Sequence, residues 1–88
     1  MAPDSHVARF MLRYSLLFID KSSQLVADHR LRARDVHHAL AQANRRLYRT
    51  FVGGQEPALD PRGRVDVLDP SGAIVARIYC AEAIAAMS

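Results

Sequence analysis

Apolar and polar residues alternate in the first regular segment of the chain, which predicts a β-strand over residues 14–20. One face of this strand carries every second residue, namely Tyr14, Leu16 and Phe18. A polar stretch at residues 21–23 predicts a turn, and a short apolar run at residues 25–27 follows it, before Asp28 and His29. The two apolar segments therefore predict a β-hairpin whose second strand is short.

The clearest periodic pattern predicts an amphipathic helix over residues 35–51. Asp35 is placed to be its N-cap, because a carboxylate accepts hydrogen bonds from the free backbone amides of the first turn. The apolar positions form one stripe, about 80° wide on a helical wheel: Val36, Leu40, Ala43, Leu47 and Phe51. The opposite side carries His38, Gln42, Arg45 and Arg49. Two glycines at residues 53–54 and Pro57 predict the helix end.

Two more strands and a terminal helix complete the pattern. After a loop at residues 55–63, valines alternate with other residues over 65–68. Residues 69–72 fit a type I turn, with aspartate first, proline second and glycine fourth. The last strand follows, with one face formed by Ile74, Ala76, Ile78 and Cys80. Its other face carries Val75, Arg77 and Tyr79. The alanine-rich segment 81–87 predicts a short helix.

The order strand, strand, helix, strand, strand predicts an α+β fold. One apolar helix stripe can cover one face of a four-stranded, mainly antiparallel sheet, which gives a two-layer sandwich. The chain has 88 residues, enough for one hydrophobic core. We assign this single domain to residues 11–88. Residues 1–10 lack periodicity, so we expect a disordered arm, or an extension that precedes the natural start at Met11, and in both cases a segment dispensable for folding.

Three segments of the domain share features with known chains. Residues 11–20 begin at methionine and contain an arginine-tyrosine pair, an aromatic strand and an aspartate. Residues 35–51 form an alanine- and arginine-rich helix entered after an aspartate, and residues 65–80 form a hairpin with an Asp-x-x-Gly turn. Together these segments resemble a family of short bacterial proteins of unknown function, over about residues 11–84. The resemblance implies a ββαββ fold and no particular activity.

The candidate catalytic and metal-binding residues are four histidines and one cysteine. His37 and His38 are adjacent on the predicted helix and point about 100° apart, so they cannot bind one ion from the same face. A site built from His29, His37 and Asp35 is conceivable, although ordinary surface histidines are commoner. Cys80 lies on an apolar strand face, which predicts a small buried residue rather than a nucleophile. Because no catalytic motif is present, we predict a non-enzymatic protein with no cofactor and no metal site.

The positive charge is concentrated in one part of the chain. The whole chain has a net charge of +3, whereas residues 29–54 contain six arginines and one acidic residue. These arginines are Arg30, Arg32, Arg34, Arg45, Arg46 and Arg49. We expect the first three at the helix entrance and Arg45 and Arg49 on the exposed helix face. Such a stripe can contact phosphates, although a solvated arginine face is the commoner reason for it, so nucleic-acid binding is the alternative function.

A single helix leaves the other face of the sheet open. That face would carry Val75 and Tyr79, and a partly apolar face on so small a domain favours coverage by a second chain. We therefore predict a non-catalytic interaction module that forms a homodimer or a larger oligomer. The longest clearly apolar run, residues 16–19, is far too short to cross a bilayer. With no signal-peptide pattern, we expect a cytoplasmic protein without a membrane partner.

Overall fold

In the computed structural model, which describes residues 11–53 and 60–87, one helix covers one face of a four-stranded antiparallel sheet. The strands are β1 (Leu12–Ile19), β2 (Leu25–Ala33), β3 (Arg64–Leu68) and β4 (Ile74–Tyr79), in the spatial order β2-β1-β3-β4. The helices are α1 (Val36–Gly53) and α2 (Cys80–Met87). The predicted α+β fold is confirmed. The predicted arm, residues 1–10, lies outside the described residues.

The core lies between α1 and the sheet. The inward face of β1 contributes the three predicted residues, Tyr14, Leu16 and Phe18, and all three are buried. Burying a leucine or phenylalanine side chain contributes about 1.5–3 kcal/mol, so this central strand organises the core. From α1, Ala43 and Leu47 are buried as predicted, and so is Ala39, which the predicted stripe omits. The remaining predicted stripe residues pack at its margin: Val36, Leu40 and Phe51.

Strand β2 is much longer than the sequence pattern indicates. It pairs with β1 along its whole length, from Leu12 opposite Ala33 to Ile19 opposite Leu25. From Val26 to Ala33 exposed and inward positions alternate. The apolar pattern is hidden because His29 is one of the inward residues. The inward residues are Ala27, His29, Leu31 and Ala33, and the outward ones Asp28, Arg30 and Arg32. The expected place of Arg30 and Arg32 at the helix entrance is therefore wrong.

A β-bulge reverses the faces at the start of β4. Val67 lies opposite Ala76, but Leu68 lies opposite Ile74, so Val75 is the additional residue. Ile74 consequently joins Leu68 on the face that the helix does not cover and is 49% exposed, whereas Val75 packs against the core. The prediction that Ile74 points inward and Val75 outward is wrong, because strict alternation does not anticipate a bulge.

Candidate functional site

The edge strand β2 divides the arginines into two groups. Arg30 and Arg32 are exposed on the uncovered sheet face, where Arg13 of β1 lies directly opposite Arg32. We call these three residues the open-face cluster. Arg45, Arg46 and Arg49 of α1 lie on the other side of β2 and line what we call the helix cleft, together with Leu16, His29, Arg30, Leu31 and Gln42. The sixth predicted arginine, Arg34, is exposed between β2 and α1.

The open-face cluster brings like charges together. Residues directly opposite each other on neighbouring antiparallel strands have Cβ atoms about 4.5–5.5 Å apart, and like charges in such pairs are destabilising. Arg13 and Arg32 form such a pair, and Arg30 lies diagonally across from Arg13, opposite Ser15. Among the described residues, no carboxylate forms an ion pair with any of the three. A hollow of about 400 Å³ is lined by this cluster and Leu31.

The other two arginines of the same face share one carboxylate. Arg64 Nε and Arg77 Nε lie 3.2 Å and 3.3 Å from the same oxygen, Oδ1 of Asp66. Asp66 is in the middle of β3 between Leu17 and Arg77 and is only 3% exposed. At one end of the open face two arginines thus share an ion-pair partner, whereas the three arginines at the opposite end have none among the described residues.

Hydrogen bonds to β2 set the position of α1 and hence the shape of the helix cleft. Gln42 Nε2 donates to the carbonyl oxygen of Arg32 at 2.8 Å, and the backbone amide of Arg34 donates to His38 Nδ1 at 3.0 Å. His38 and Gln42 are therefore half-buried, and their predicted place on the solvent side of the helix is wrong. They lie on the flank of α1 that faces the edge strand, which a helical wheel cannot distinguish from a solvent-facing flank.

His29 holds one arginine of the helix cleft. Arg46 Nη2 lies 2.9 Å from His29 Nδ1, and because a guanidinium is a donor only, the imidazole nitrogen accepts this hydrogen bond. The imidazole ring lies 5.0 Å from the ring of Phe18 at an angle of 51°, which fixes its orientation. Thr50 Oγ1 donates to the carbonyl oxygen of Arg46. The side chain of Arg46 is thus held by His29 and is half-buried, whereas Arg45 and Arg49 are exposed.

The structure does not assemble the conceivable histidine metal site. His29 contacts Arg46, His37 is exposed on α1, and the Asp35 carboxylate caps α1 by accepting from the backbone amide of His38 at 2.9 Å, as predicted for an N-cap. Over residues 11–53 and 60–87, no three His, Cys, Asp or Glu side chains come together in a way that could hold a metal ion.

The sulfur of Cys80 is enclosed at the start of α2. The side chain is buried, as predicted, and the backbone amide donates to the carbonyl oxygen of Gly63 at 3.1 Å. Burial raises the pKa of the thiol, and the negative charge of Asp60 raises it further. A thiol with a raised pKa stays protonated at neutral pH and is a poor nucleophile, so this residue acts in packing.

Of the predicted site residues, the structure therefore groups Arg30 and Arg32 with Arg13, and Arg45 and Arg49 with Arg46. Sequence reasoning missed Arg13 because it precedes Arg30 by 17 residues. Only the pairing register of the first hairpin brings them together.

In the described part of the chain, neither helix combines the length and the apolar character that a membrane span requires. Comparisons with protein-family models, curated protein sequences and solved structures gave no match.

Proposed function

We propose that this protein binds nucleic acid through phosphate contacts from the arginines on both sides of β2. The observation that carries the proposal is the cross-strand pair of Arg13 and Arg32, which has no carboxylate partner among the described residues. Two unit positive charges about 4 Å apart repel by about 1 kcal/mol in water, so two guanidinium groups gain nothing by approaching each other without a counterion. An anionic ligand bound between the two guanidinium groups would be attracted by both of them and would screen their repulsion.

A comparison within the same sheet face supports a ligand for this cluster. Asp66 pairs with both Arg64 and Arg77 and offsets one of their two charges, so this fold supplies a countercharge to the arginines at one end of the sheet face. It leaves the corner of Arg13, Arg30 and Arg32 positive. Charges kept together against their mutual repulsion are typical of surfaces that meet phosphates.

The helix side extends the same surface. Arg45 and Arg49 are exposed one turn apart on α1, and Arg30 lines both the hollow of the open-face cluster and the helix cleft. The positive surface therefore continues around the β2 edge. A ligand with many regularly spaced phosphates can use both sides of that edge, whereas a small anion can use only one. This favours a nucleic acid over a small ligand for the surface as a whole, and it implies a cytoplasmic protein.

The proposal can be tested by titrating salt against binding of labelled single-stranded and duplex DNA and RNA. Removing one arginine–phosphate contact should make the slope of log affinity against log salt shallower by about 0.9 for duplex DNA. We expect Arg32→Gln to weaken binding several-fold and flatten the slope. The same variant should keep or slightly raise the thermal midpoint, because it removes a like-charge pair.

Arg62→Gln is the matched control, because Arg62 is exposed in the turn before β3, at the opposite end of the sheet, and the charge change is identical. It should leave binding nearly unchanged. Equal effects of Arg32→Gln and Arg62→Gln would contradict a defined interface and leave only a diffuse effect of net charge.

We also propose that the protein forms a homodimer through the β4 edge. Ile74 and Tyr79 are each 49% exposed at the two ends of β4, and β4 has no strand on its outer side within the described part of the chain. Antiparallel pairing of two β4 strands about a twofold axis would place Ile74 opposite Tyr79 of the second copy. The bulge exchanges Val75 for Ile74 on the open face, and because Ile74 belongs to the edge strand, we place the contact at this edge.

Light scattering at micromolar concentration tests the dimer. We expect a mass near twice 9.8 kDa and its reduction by Ile74→Lys, which places a charge at the paired edge. Tyr48→Lys is the control, because Tyr48 is 52% exposed on α1, away from β4. A wild-type mass of one chain would contradict this second proposal.

A further inference from the structure

We infer that the helix cleft binds a single phosphate group. The cleft measures about 150 Å³, and its polar lining consists of four arginines, one histidine and one glutamine, with no acidic residue among the described residues that line it. Pockets for drug-sized ligands are about 300–1,000 Å³, so this one suits a compact anion rather than a base or a whole nucleotide. The phosphate site itself does not depend on the proposed function. Only the identity of the molecule that carries the phosphate rests on it.

Three arginines of α1 line the cleft. Arg45 and Arg49 lie one turn apart on the same flank of α1, and Arg46, about 100° around the helix from Arg45, reaches the cleft as well through its long side chain. Each guanidinium offers several N–H donors in one plane and can bind two oxygens of a phosphate at once. Arg45 and Arg49 have no ion-pair partner within the described residues, which leaves their charges available to a ligand.

The walls of the cleft are fixed before any ligand arrives. Gln42 is hydrogen bonded to the β2 backbone, and Arg46 is hydrogen bonded to His29, whose ring packs on Phe18. Donors that are already ordered lose less conformational entropy on binding, so more of the interaction energy appears as affinity. This distinguishes the helix cleft from an arginine stripe whose side chains move freely in solvent.

The floor of the cleft strengthens the charge interactions. Leu16 and Leu31 line it from β1 and β2, and Leu16 is 1% exposed. An apolar floor keeps water from one side of a bound anion, and charges interact more strongly where the local dielectric constant is lower. A phosphate here therefore meets positive charge on one side and little competing solvent on the other.

The phosphate could belong to the end of a nucleic-acid strand or to a small phosphorylated molecule. We propose the strand end, because the cleft adjoins the open-face cluster through Arg30, so the rest of a strand can continue along β2. A terminal phosphate monoester also carries more negative charge than an internal diester. Oligonucleotides with a 5′-phosphate should bind about tenfold more tightly than the same oligonucleotides with a 5′-hydroxyl, a difference of about 1.4 kcal/mol.

The experiment has two readouts. Inorganic phosphate is titrated into the labelled protein while amide NMR shifts are followed, and affinities are measured for 5′-phosphate and 5′-hydroxyl oligonucleotides. We expect phosphate to shift the amides of His29 and Leu31, and Arg45→Gln combined with Arg49→Gln to abolish both the shifts and the 5′-phosphate preference. Arg32→Gln should weaken both oligonucleotides equally and keep the preference, and Arg62→Gln should change neither readout.

The outcomes separate this inference from the proposed function. Oligonucleotide binding without phosphate shifts and without a 5′-phosphate preference would overturn the inference and leave the proposed function standing. Phosphate shifts that vanish in the Arg45 and Arg49 double variant, without binding of any oligonucleotide, would support the cleft, overturn the proposed function and assign a small phosphorylated molecule as the carrier.

Discussion

Ser23 and Gly72 occupy the same position in two hairpin turns that are built alike. Both residues have a positive φ, 62° and 88°, and each amide donates to the carbonyl oxygen of the aspartate three residues earlier, Asp20 or Asp69. In each turn the aspartate Oδ1 also accepts from two later backbone amides, those of Ser22 and Gln24 or of Ser71 and Ala73. Ser23 therefore carries backbone strain that Gly72 avoids.

Replacing Ser23 with glycine should stabilise the protein. The left-handed conformation costs an L-residue roughly 1–2 kcal/mol, while glycine loses about 0.5–1 kcal/mol more in chain entropy, so we expect a net gain of about 0.5 kcal/mol. Chemical denaturation measures it. Ser22→Gly is the control, because Ser22 has no positive φ and should lose stability. A loss in Ser23→Gly equal to that in Ser22→Gly would show that the turn tolerates Ser23 without strain.

Gly63 is required for a different reason, the close approach of two backbone segments. A Cβ atom at this position would clash with the carbonyl oxygen of Ile19. The Gly63 amide donates to the carbonyl oxygen of Asp60, and its carbonyl oxygen accepts from the amide of Cys80, so the segment cannot move away freely. We expect Gly63→Ala to lose roughly 3 kcal/mol of stability.

Gly72→Ala is the comparison for that prediction. A Cβ at Gly72 meets nothing within 4 Å, so only the positive φ opposes alanine there. The expected loss is roughly 1 kcal/mol. Urea unfolding of both variants decides the matter, and a Gly63→Ala protein as stable as Gly72→Ala would show that β1 and β3 can separate at this point.

The sequence alone predicts the buried positions and the caps of an element wherever one of its faces is apolar and its geometry is regular. The inward face of β1 and the Asp35 cap of α1 follow from alternation and from capping chemistry, and both are present. Alternation failed at Ile74 and Val75, because the bulge depends on the pairing of β3 with β4. It also failed for most of β2, where His29 occupies an inward position and only pairing with β1 identifies the strand.

The candidate site was harder to predict than the fold. The charge pattern identifies the arginines of residues 29–54 as candidates, but their division into two groups depends on the length of β2. Arg13 belongs to the open-face cluster through the hairpin register alone. Gln42 and His38 are polar residues on a helix, and their hydrogen bonds to the backbone around β2 depend on tertiary packing.

Stability should fall in acid through three turn and cap carboxylates. Hydrogen bonds lower the pKa of Asp35 (from the His38 amide), of Asp60 (from the Arg62 and Lys21 amides) and of Asp69 (chiefly from the Ser71 hydroxyl). A folded-state pKa below the unfolded value of about 3.9 means that the stabilisation is fully present above that pH. It is lost as the pH falls through the lowered pKa.

Thermal unfolding between neutral pH and strongly acidic pH measures this effect. Asp69→Ala should be less stable than the wild type at neutral pH, because three hydrogen bonds lose their acceptor. The difference should narrow as the wild-type carboxylate becomes protonated. A difference that stays constant down to the lowest pH would show that the charge of Asp69 contributes nothing to folding.

Asp66→Asn tests the division of the open face into a paired end and a positive end. Asp66 is 3% exposed and is the ion-pair partner of both Arg64 and Arg77, so an amide leaves two guanidinium groups without a countercharge. The side chains of these arginines are 25% and 47% exposed, and solvent screening keeps the expected loss to about 1–3 kcal/mol. Asp28→Asn is the control, because Asp28 is an exposed carboxylate opposite Leu17. It should change stability by less than about 0.5 kcal/mol.

The same two variants bear on function. Each removes one negative charge from the open face, and Asp28 precedes Arg30 on β2, whereas Asp66 lies two strands away. If nucleic acid lies along the β2 edge, Asp28→Asn should strengthen binding more than Asp66→Asn, because Coulomb attraction weakens with distance and with salt. Binding measured at two salt concentrations, with the folded fraction checked by circular dichroism, gives the comparison. A larger gain for Asp66→Asn would place the ligand over β3 and β4 and contradict the assignment of the open-face cluster.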